Sequence, residues 1–214
     1  TGGSELHAAQ NLDVKALATN NVTGGVYQGT VAVVNVGVIA NHIDVQEHQL
    51  VNVAGSTLLG NKVNISSDVL GSVSSTMGMG VADALGYTDV VSDINHSGNN
   101  TINVSGSSIT ATEQISTASE DALQIKAGNS VVIDNKAVPV SVQAVSMGRT
   151  VVKGNDAVAV NVNLGNANNT NANNSFVAKG IIVSAQNTPQ VKNYIPANVN
   201  LGFVTGHGTI VESS

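Results

Sequence analysis

Alternating apolar and polar residues dominate the chain and predict β-strands. The longest run, residues 30–39, is rich in Val, and strict alternation continues over residues 42–45. Apolar β-branched residues at every second position are typical of a half-buried strand. Similar runs, mostly divided by Gly, Asn or Asp turns such as those at residues 55–56 and 60–61, bring the predicted total to about a dozen strands: 49–53, 62–65, 102–104, 109–115, 122–126, 130–133, 138–145, 150–152, 157–164, 176–184, 190–195 and 198–210.

One segment, residues 67–87, carries a different apolar pattern. Its large apolar residues recur at spacings of three or four: Leu70, Val73, Met77, Val81 and Leu85. This spacing places side chains on one face of an α-helix. Glycines inside the segment weaken a helix by about 1 kcal/mol each. The pattern therefore predicts one short helix in an otherwise all-β chain.

The fold class predicted from these patterns is all-β, a β-sandwich or jelly-roll-like domain with one short helix. Two runs, 137–142 and 157–162, place Val on one face and mostly small or polar residues on the other. That alternation is typical of half-buried antiparallel strands. The alternative is a β-solenoid, which a composition rich in Val, Asn, Gly and Ser favours. A third related run, 32–36, lies at an irregular distance from the other two, which argues against a regular repeat.

The chain is predicted to form an N-terminal arm, residues 1–25, and a single β-rich domain, residues 26–214. The arm mixes small and polar residues with a weak apolar pattern and ends at Gly24 and Gly25. It has little apolar surface with which to fold on its own. A neighbouring subunit could order such a segment by β-strand addition, so we consider it a possible donor strand.

Composition excludes several classes of protein. Only 10% of the residues are charged, against about 25% in an average domain. The absence of Cys excludes a disulfide scaffold, a Cys-ligated zinc site and a thiol enzyme. The eight Lys and Arg form no basic patch, so no nucleic-acid partner is expected. The longest uncharged stretch, residues 16–43, contains too many polar residues for a membrane-spanning helix.

The composition also indicates an exported protein. Few charges, few aromatics and no Cys fit an extracellular or cell-surface setting, where an unpaired thiol is a liability. Residues 1–4 lack the charged and apolar regions of a signal peptide. We therefore expect the mature form, after removal of a signal peptide.

The best candidates for metal ligands are His42, Asp44 and His48. Two imidazoles and a carboxylate can bind a divalent cation, and His42 and Asp44 share one face of a strand. No further motif completes the site, and a solvated strand end explains the same residues. The sequence has no Gly-x-Ser-x-Gly elbow, Walker loop or calcium-binding loop. We therefore predict no catalytic residues, no cofactor and no metal, and expect that the protein is not an enzyme.

The clearest candidate for interaction is the Val-rich run itself. Residues 30–36 are uncharged and contain neither Pro nor Gly, which is typical of a strand that adds to a sheet edge. Monomeric proteins protect their edges with charge or Pro, and this chain has few charges. A buried central strand is the alternative explanation of this run. The candidate residues for edge pairing are Val31, Val33, Val34, Val36 and Val38.

These features predict an extracellular structural subunit that polymerises with itself. Inter-subunit β-strand addition would produce a cell-surface fibre or matrix filament. One alternative is a surface adhesin or carbohydrate-binding module with cell-surface glycans as partners, which the low count of three Tyr and two Phe disfavours. A second alternative is a solenoid-type polysaccharide-active enzyme, for which the sequence offers no convincing acid–base cluster.

Overall fold

A computed structural model describes residues 3–113, 122–165 and 173–213, and within these ranges the protein is all-β, without a helix. No helix suited to crossing a membrane therefore occurs in the described part. The strands are β1 (Glu5–His7), β2 (Leu12–Val31), β3 (Val34–Ala54), β4 (Thr57–Gly60), β5 (Val63–Ser105), β6 (Ser108–Ala111), β7 (Leu123–Leu164), β8 (Ser175–Val177), β9 (Ile181–Asn187), β10 (Gln190–Tyr194), β11 (Val199–Leu201) and β12 (Val204–Ser213).

The strands form four structural repeats, each a short strand followed by a long strand or its segments. We number them repeat 1 (5–54), repeat 2 (57–105), repeat 3 (108–164) and repeat 4 (175–213). The short strands make one sheet in the order β1-β4-β6-β8. In the larger sheet, β5 pairs with β2 and β3 on one side and with β7 on the other, and β7 pairs with β9 to β12. Every one of these pairings is parallel.

Each long strand run folds back so that its first half faces its second half. In repeat 2, Met77 packs in one buried cluster with Val90. The hydroxyls of Ser75 and Ser92, from the two halves, lie 2.7 Å apart. Asn135 of repeat 3 accepts a hydrogen bond from Ser92 at 2.6 Å. The core therefore lies between the two halves, and it contains buried polar contacts as well as aliphatic side chains.

Residues at the same register position in successive repeats form columns, and the apolar columns make most of the core. One column is Val14, Ile65, Ile125 and Val183. Ile65 and Ile125 are completely buried, whereas Val183 of repeat 4 is 44% exposed. Burial of a large aliphatic side chain stabilises a fold by about 1.5–3 kcal/mol. The two inner repeats therefore contribute most of the apolar stabilisation, and the outer repeats leave theirs incomplete.

Glycine turns close the long strands of the first two repeats at equivalent positions. Gly55 follows β3 with φ of 56°, and Gly106 follows β5 with φ of 57°. Both angles lie in the left-handed region, which a residue without Cβ adopts at little cost. The breaks predicted at residues 55–56 and 60–61 are confirmed, since β4 begins and ends between them.

The helix predicted over residues 67–87 is wrong, because the whole segment belongs to β5. Val73, Met77 and Val81 are spaced by four, and an even spacing also keeps side chains on one face of a strand. All three are buried in the core. The single odd step, from Leu70 to Val73, spans Gly71 with φ of 135°, and Leu70 is exposed. The spacing therefore fits a strand of period two from Val73 to Val81, with Leu70 and Leu85 on either side of this stretch exposed.

The expected antiparallel pairing is also wrong for the strands described. Runs 137–142 and 157–162 lie in different halves of the same strand, β7, so they are not copies of one repeat. Between the long strands of successive repeats the register offsets are 51, 60 and 58 to 59 residues. Between the short strands they are 52, 51 and 67 residues. Residues 12–25, predicted to belong to an N-terminal arm, pair along their whole length with β5 of the same chain.

Candidate functional site

Both outer edges of the larger sheet are free in the described part of the chain. Strands β2 and β3 hydrogen-bond to β5 on one side and have no strand on the other. Strands β9 to β12 likewise pair only with β7. A free parallel edge presents a row of unpaired N–H and C=O groups that can pair with another strand. These two edges are the candidate functional surfaces.

The five candidate edge valines all lie in repeat 1. Val31 ends β2, Val33 lies between the strands, and Val34, Val36 and Val38 lie in β3. Their exposure ranges from 60% to 86%. The run is thus part of an outer repeat and is not a buried central strand, the alternative that the sequence left open. Exposed apolar surface of this extent commonly marks an interaction site.

The three metal-ligand candidates lie exposed along β3, where each contacts a different residue of repeat 2. His42 Nδ1 lies 3.1 Å from Asp93 Oδ2, and Asp44 Oδ1 accepts a hydrogen bond from Asn95 at 2.9 Å. His48 Nδ1 lies 3.0 Å from Asn99 Oδ1. Across the described residues, no group of three or more His, Asp or Glu is close enough to hold a metal ion. The three side chains form contacts between repeats.

One column on the surface alternates basic and acidic residue types through all four repeats. It consists of His42, Asp93, Lys153 and Glu212. Besides the contact of His42 with Asp93, the Lys153 ammonium lies 2.7 Å from the Glu212 carboxylate. Exposed ion pairs of this kind contribute about 0–1 kcal/mol each. The alternating order of basic and acidic residues has a second effect: it favours this register between the repeats over a register shifted along the strands.

A second polar group, which sequence analysis missed, is buried between the halves of the repeats. His96 Nδ1 lies 2.7 Å from Asp156 Oδ2, and the two side chains are 1% and 0% exposed. Because a carboxylate only accepts, Nδ1 carries the hydrogen of this bond. Glu47 approaches Nε2 of the same ring at 3.9 Å. The imidazole therefore lies between two buried carboxylates from repeats 1 and 3.

Amide side chains complete this buried cluster. Asn129 donates a hydrogen bond to Asp156 Oδ1 at 3.0 Å, and Asn20 donates one to Glu47. The backbone N–H of Val158 also points at Asp156 Oδ1, at 3.3 Å. Buried charges are tolerated when they are paired and hydrogen-bonded in this way. The cluster encloses its imidazole, and its contacts join repeats 1, 2 and 3.

Sequence signals for this cluster are absent. Glu47, His96 and Asp156 belong to three different repeats, and 60 residues separate the last two. Only the register of the repeats brings them together. No local spacing in the sequence could have identified them.

We predict that the cluster makes stability depend on acidic pH. Burial by itself raises the pKa of Asp156, but hydrogen bonds from His96, Val158 N–H and Asn129, together with the charge of His96, lower it below its usual value. A carboxyl group with a lowered pKa in the folded state contributes stability above its unfolded pKa, about 3.9. That contribution is lost as the pH falls through the folded pKa.

The measurement is urea unfolding of the wild type and of Asp156→Asn at pH 7, 5, 4 and 3. The wild type is expected to be the more stable of the two at pH 7 and 5. The difference in their free energies of unfolding should shrink below pH 4, because the variant lacks the titrating group. A difference that stays constant across this range would contradict the prediction.

Over the residues that the structure describes, the chain is all-β, with four parallel structural repeats and two free edges of its larger sheet. No protein-family model matches the chain, and no curated protein or solved structure is detectably similar to it.

Proposed function

We propose that the protein is an extracellular structural unit, a β-solenoid that stacks head to tail with copies of itself into a surface fibre or matrix filament. The supporting observation is that several apolar columns of repeat 4 match those of repeat 1. A copy placed below repeat 4 would continue these columns with residues of the same kind. The extracellular setting rests on the composition described above.

Parallel pairing of successive repeats supports the solenoid. Register offsets of 51 to 60 residues define one repeat each, and the larger sheet pairs each repeat only with its neighbours. Stacked repeats of this kind rise about 4.7–4.9 Å per strand. A solenoid has free edges only at its two ends, and a head-to-tail contact between different surfaces generates an open filament.

Apolar columns would continue across such a contact. Ile181 of repeat 4 shares a column with Leu12 of repeat 1, and Val183 shares one with Val14. In the short-strand sheet, Phe176 shares a column with Leu6. Stacking would cover the outer apolar side chains as completely as those of the inner repeats. This burial is the main expected driving force for assembly.

The charged column supports the same orientation. Its order from repeat 1 to repeat 4 is His42, Asp93, Lys153 and Glu212. In a head-to-tail stack, Glu212 of one copy would lie beside His42 of the next, so that basic and acidic groups keep alternating. Contact between two identical ends would not bring these two residues together, because His42 lies on one end and Glu212 on the other. Complementary charge therefore favours one polarity.

Assembly by this route needs no donated arm. Residues 12–25 are already paired with β5 of their own chain, so they offer a free edge rather than a free segment. The proposed contact is edge-to-edge pairing of repeat 4 with repeat 1 of the next copy. The exposed valines at residues 31–38 belong to that edge.

Disulfide cross-linking tests the proposed register, because the chain has no cysteine of its own. Thr23 and Lys192 share one column, so stacking would bring their Cα atoms to about 4.8 Å. That separation is within the range of a disulfide. Mixing Thr23→Cys with Lys192→Cys under mild oxidation is expected to give a mixed disulfide dimer as the main product.

The matched control is Gln186→Cys mixed with Thr23→Cys. Gln186 shares a column with Leu17, six residues from Thr23, or about 20 Å along a strand. No mixed dimer is expected from this pair. Equal cross-linking by both pairs, or homodimers of Thr23→Cys as the main product, would overturn the proposal. So would wild-type protein that remains monomeric at high concentration by sedimentation and shows no filaments by negative-stain microscopy.

A further inference from the structure

A cavity of about 420 Å³ opens where the long strands turn from their first half to their second. Asp83 of β5 and Gln143 of β7, neighbours in one column, form its polar wall. Leu201 and Phe203, from repeat 4, form much of its apolar wall. Three repeats therefore contribute to one concave site, which lies apart from the buried histidine cluster.

Two buried acceptor atoms of this cavity have no partner. Gln143 is 2% exposed, and its Nε2 donates a hydrogen bond to Asp83 Oδ2 at 3.0 Å. This bond fixes the amide so that its oxygen is left over. Asp83 Oδ1 and Gln143 Oε1 are both buried without a hydrogen bond. A buried acceptor left unpaired costs about 1–3 kcal/mol, and such an atom calls for an explanation.

The unpartnered atoms define the chemistry of a ligand. Both are acceptors, the wall carries one carboxylate, and none of its described lining residues is Lys, Arg or His. A primary ammonium group has three N–H donors and no acceptor. A sugar hydroxyl is neutral and would leave the Asp83 carboxylate without a counter-charge, whereas an ammonium ion supplies both donors and a positive charge. The arrangement therefore favours an ammonium ion over a carbohydrate.

The apolar wall fits the rest of such a ligand. Phe203 is 96% exposed, so its ring is available for a cation–π contact. Leu201, also exposed, offers surface for a methylene chain. We propose that this cavity binds a primary alkylammonium group, either of a free amine or of a lysine side chain on another protein. This proposal does not depend on stacking of the subunits.

Gly86 keeps the polar pair in place. A Cβ at this position would overlap the Gln143 amide nitrogen and crowd both carboxylate oxygens of Asp83. Gly86→Ala is therefore expected to displace the pair while leaving both groups in the chain. It complements Asp83→Asn, which removes the charge and keeps the shape.

The test is an NMR titration of the folded protein with butylammonium chloride, with 1-butanol as the neutral probe of similar shape. Butylammonium is expected to shift the backbone amide signals of Gly202 and Phe203 saturably, and butanol is not. Asp83→Asn should weaken butylammonium binding about tenfold or more, as loss of a charged hydrogen bond predicts. Gly86→Ala should also weaken it, whereas Asp93→Asn, in the exposed charged column, should bind as the wild type does.

A lysine source is distinguished with N-acetyl-lysine methylamide. Tighter binding of this probe than of butylammonium assigns the site to a protein side chain, and equal or weaker binding assigns it to free amines. Both results support the ammonium site. Absence of saturable binding, equal shifts with butanol, or unchanged affinity in both folded variants would overturn it. Binding of a neutral monosaccharide in place of butylammonium would also overturn it.

Discussion

His96→Ala is expected to destabilise the protein by about 3–5 kcal/mol, the usual cost of leaving a buried charge without its partner. The imidazole is 1% exposed and lies between Asp156 and Glu47. Without it, Asp156 keeps its hydrogen bonds from Asn129 and Val158 N–H but loses the one from His96 Nδ1. Two carboxylates would then remain in the core of the fold.

The matched control is His42→Ala. This residue also pairs with an aspartate of the next repeat, Asp93, at 3.1 Å, but its side chain is 61% exposed. An exposed pair contributes about 0–1 kcal/mol. Urea unfolding followed by circular dichroism at pH 7 measures both variants. Equal destabilisation by the two substitutions would contradict the role assigned to burial.

The all-β character was predictable from the sequence, because the alternation of apolar and polar residues that marks a strand can be read over a few neighbouring residues. The breaks after Ala54 and Gly60 were predictable for the same reason. The repeat was harder to detect, because its period exceeds the usual 20–50 residues and varies from 51 to 60 between the long strands. One signal was present. Residues 51–58 and 102–109 match in residue type over the end of a long strand, a glycine turn and the start of a short strand, at the offset of 51 that the register shows.

The functional surfaces were only partly predictable. The uncharged run around Val36 fits an exposed edge strand and also a buried central strand. The two differ only in whether the strand is paired on one side or on both, which the sequence of the run does not show. The contacts of His96 could not be anticipated. They depend on register between repeats, and a slip of one residue would turn the side chain to the opposite face of the sheet.

Ile125→Ala is expected to destabilise the fold by about 2–5 kcal/mol, the cost of truncating a buried aliphatic side chain. Ile125 is completely buried in repeat 3, with Ile65 and Val183 as its neighbours in the column. Repeats of this kind are stabilised largely by contacts with their neighbours. A cavity in an inner repeat therefore weakens the interfaces on both of its sides. Urea unfolding at pH 7 measures the loss.

Val183→Ala, in the same column, separates folding from assembly. Val183 is already 44% exposed, so its truncation should change the unfolding free energy of the isolated subunit by less than about 1 kcal/mol. In a head-to-tail stack Val183 would be covered by Val14 of the next copy, and the same truncation should weaken association by about 1 kcal/mol. Sedimentation velocity over a range of concentrations measures association. A loss of folding stability as large as that of Ile125→Ala would contradict the partial exposure of Val183 in the isolated subunit. A folded variant that associates as the wild type does would contradict the proposed stacking contact.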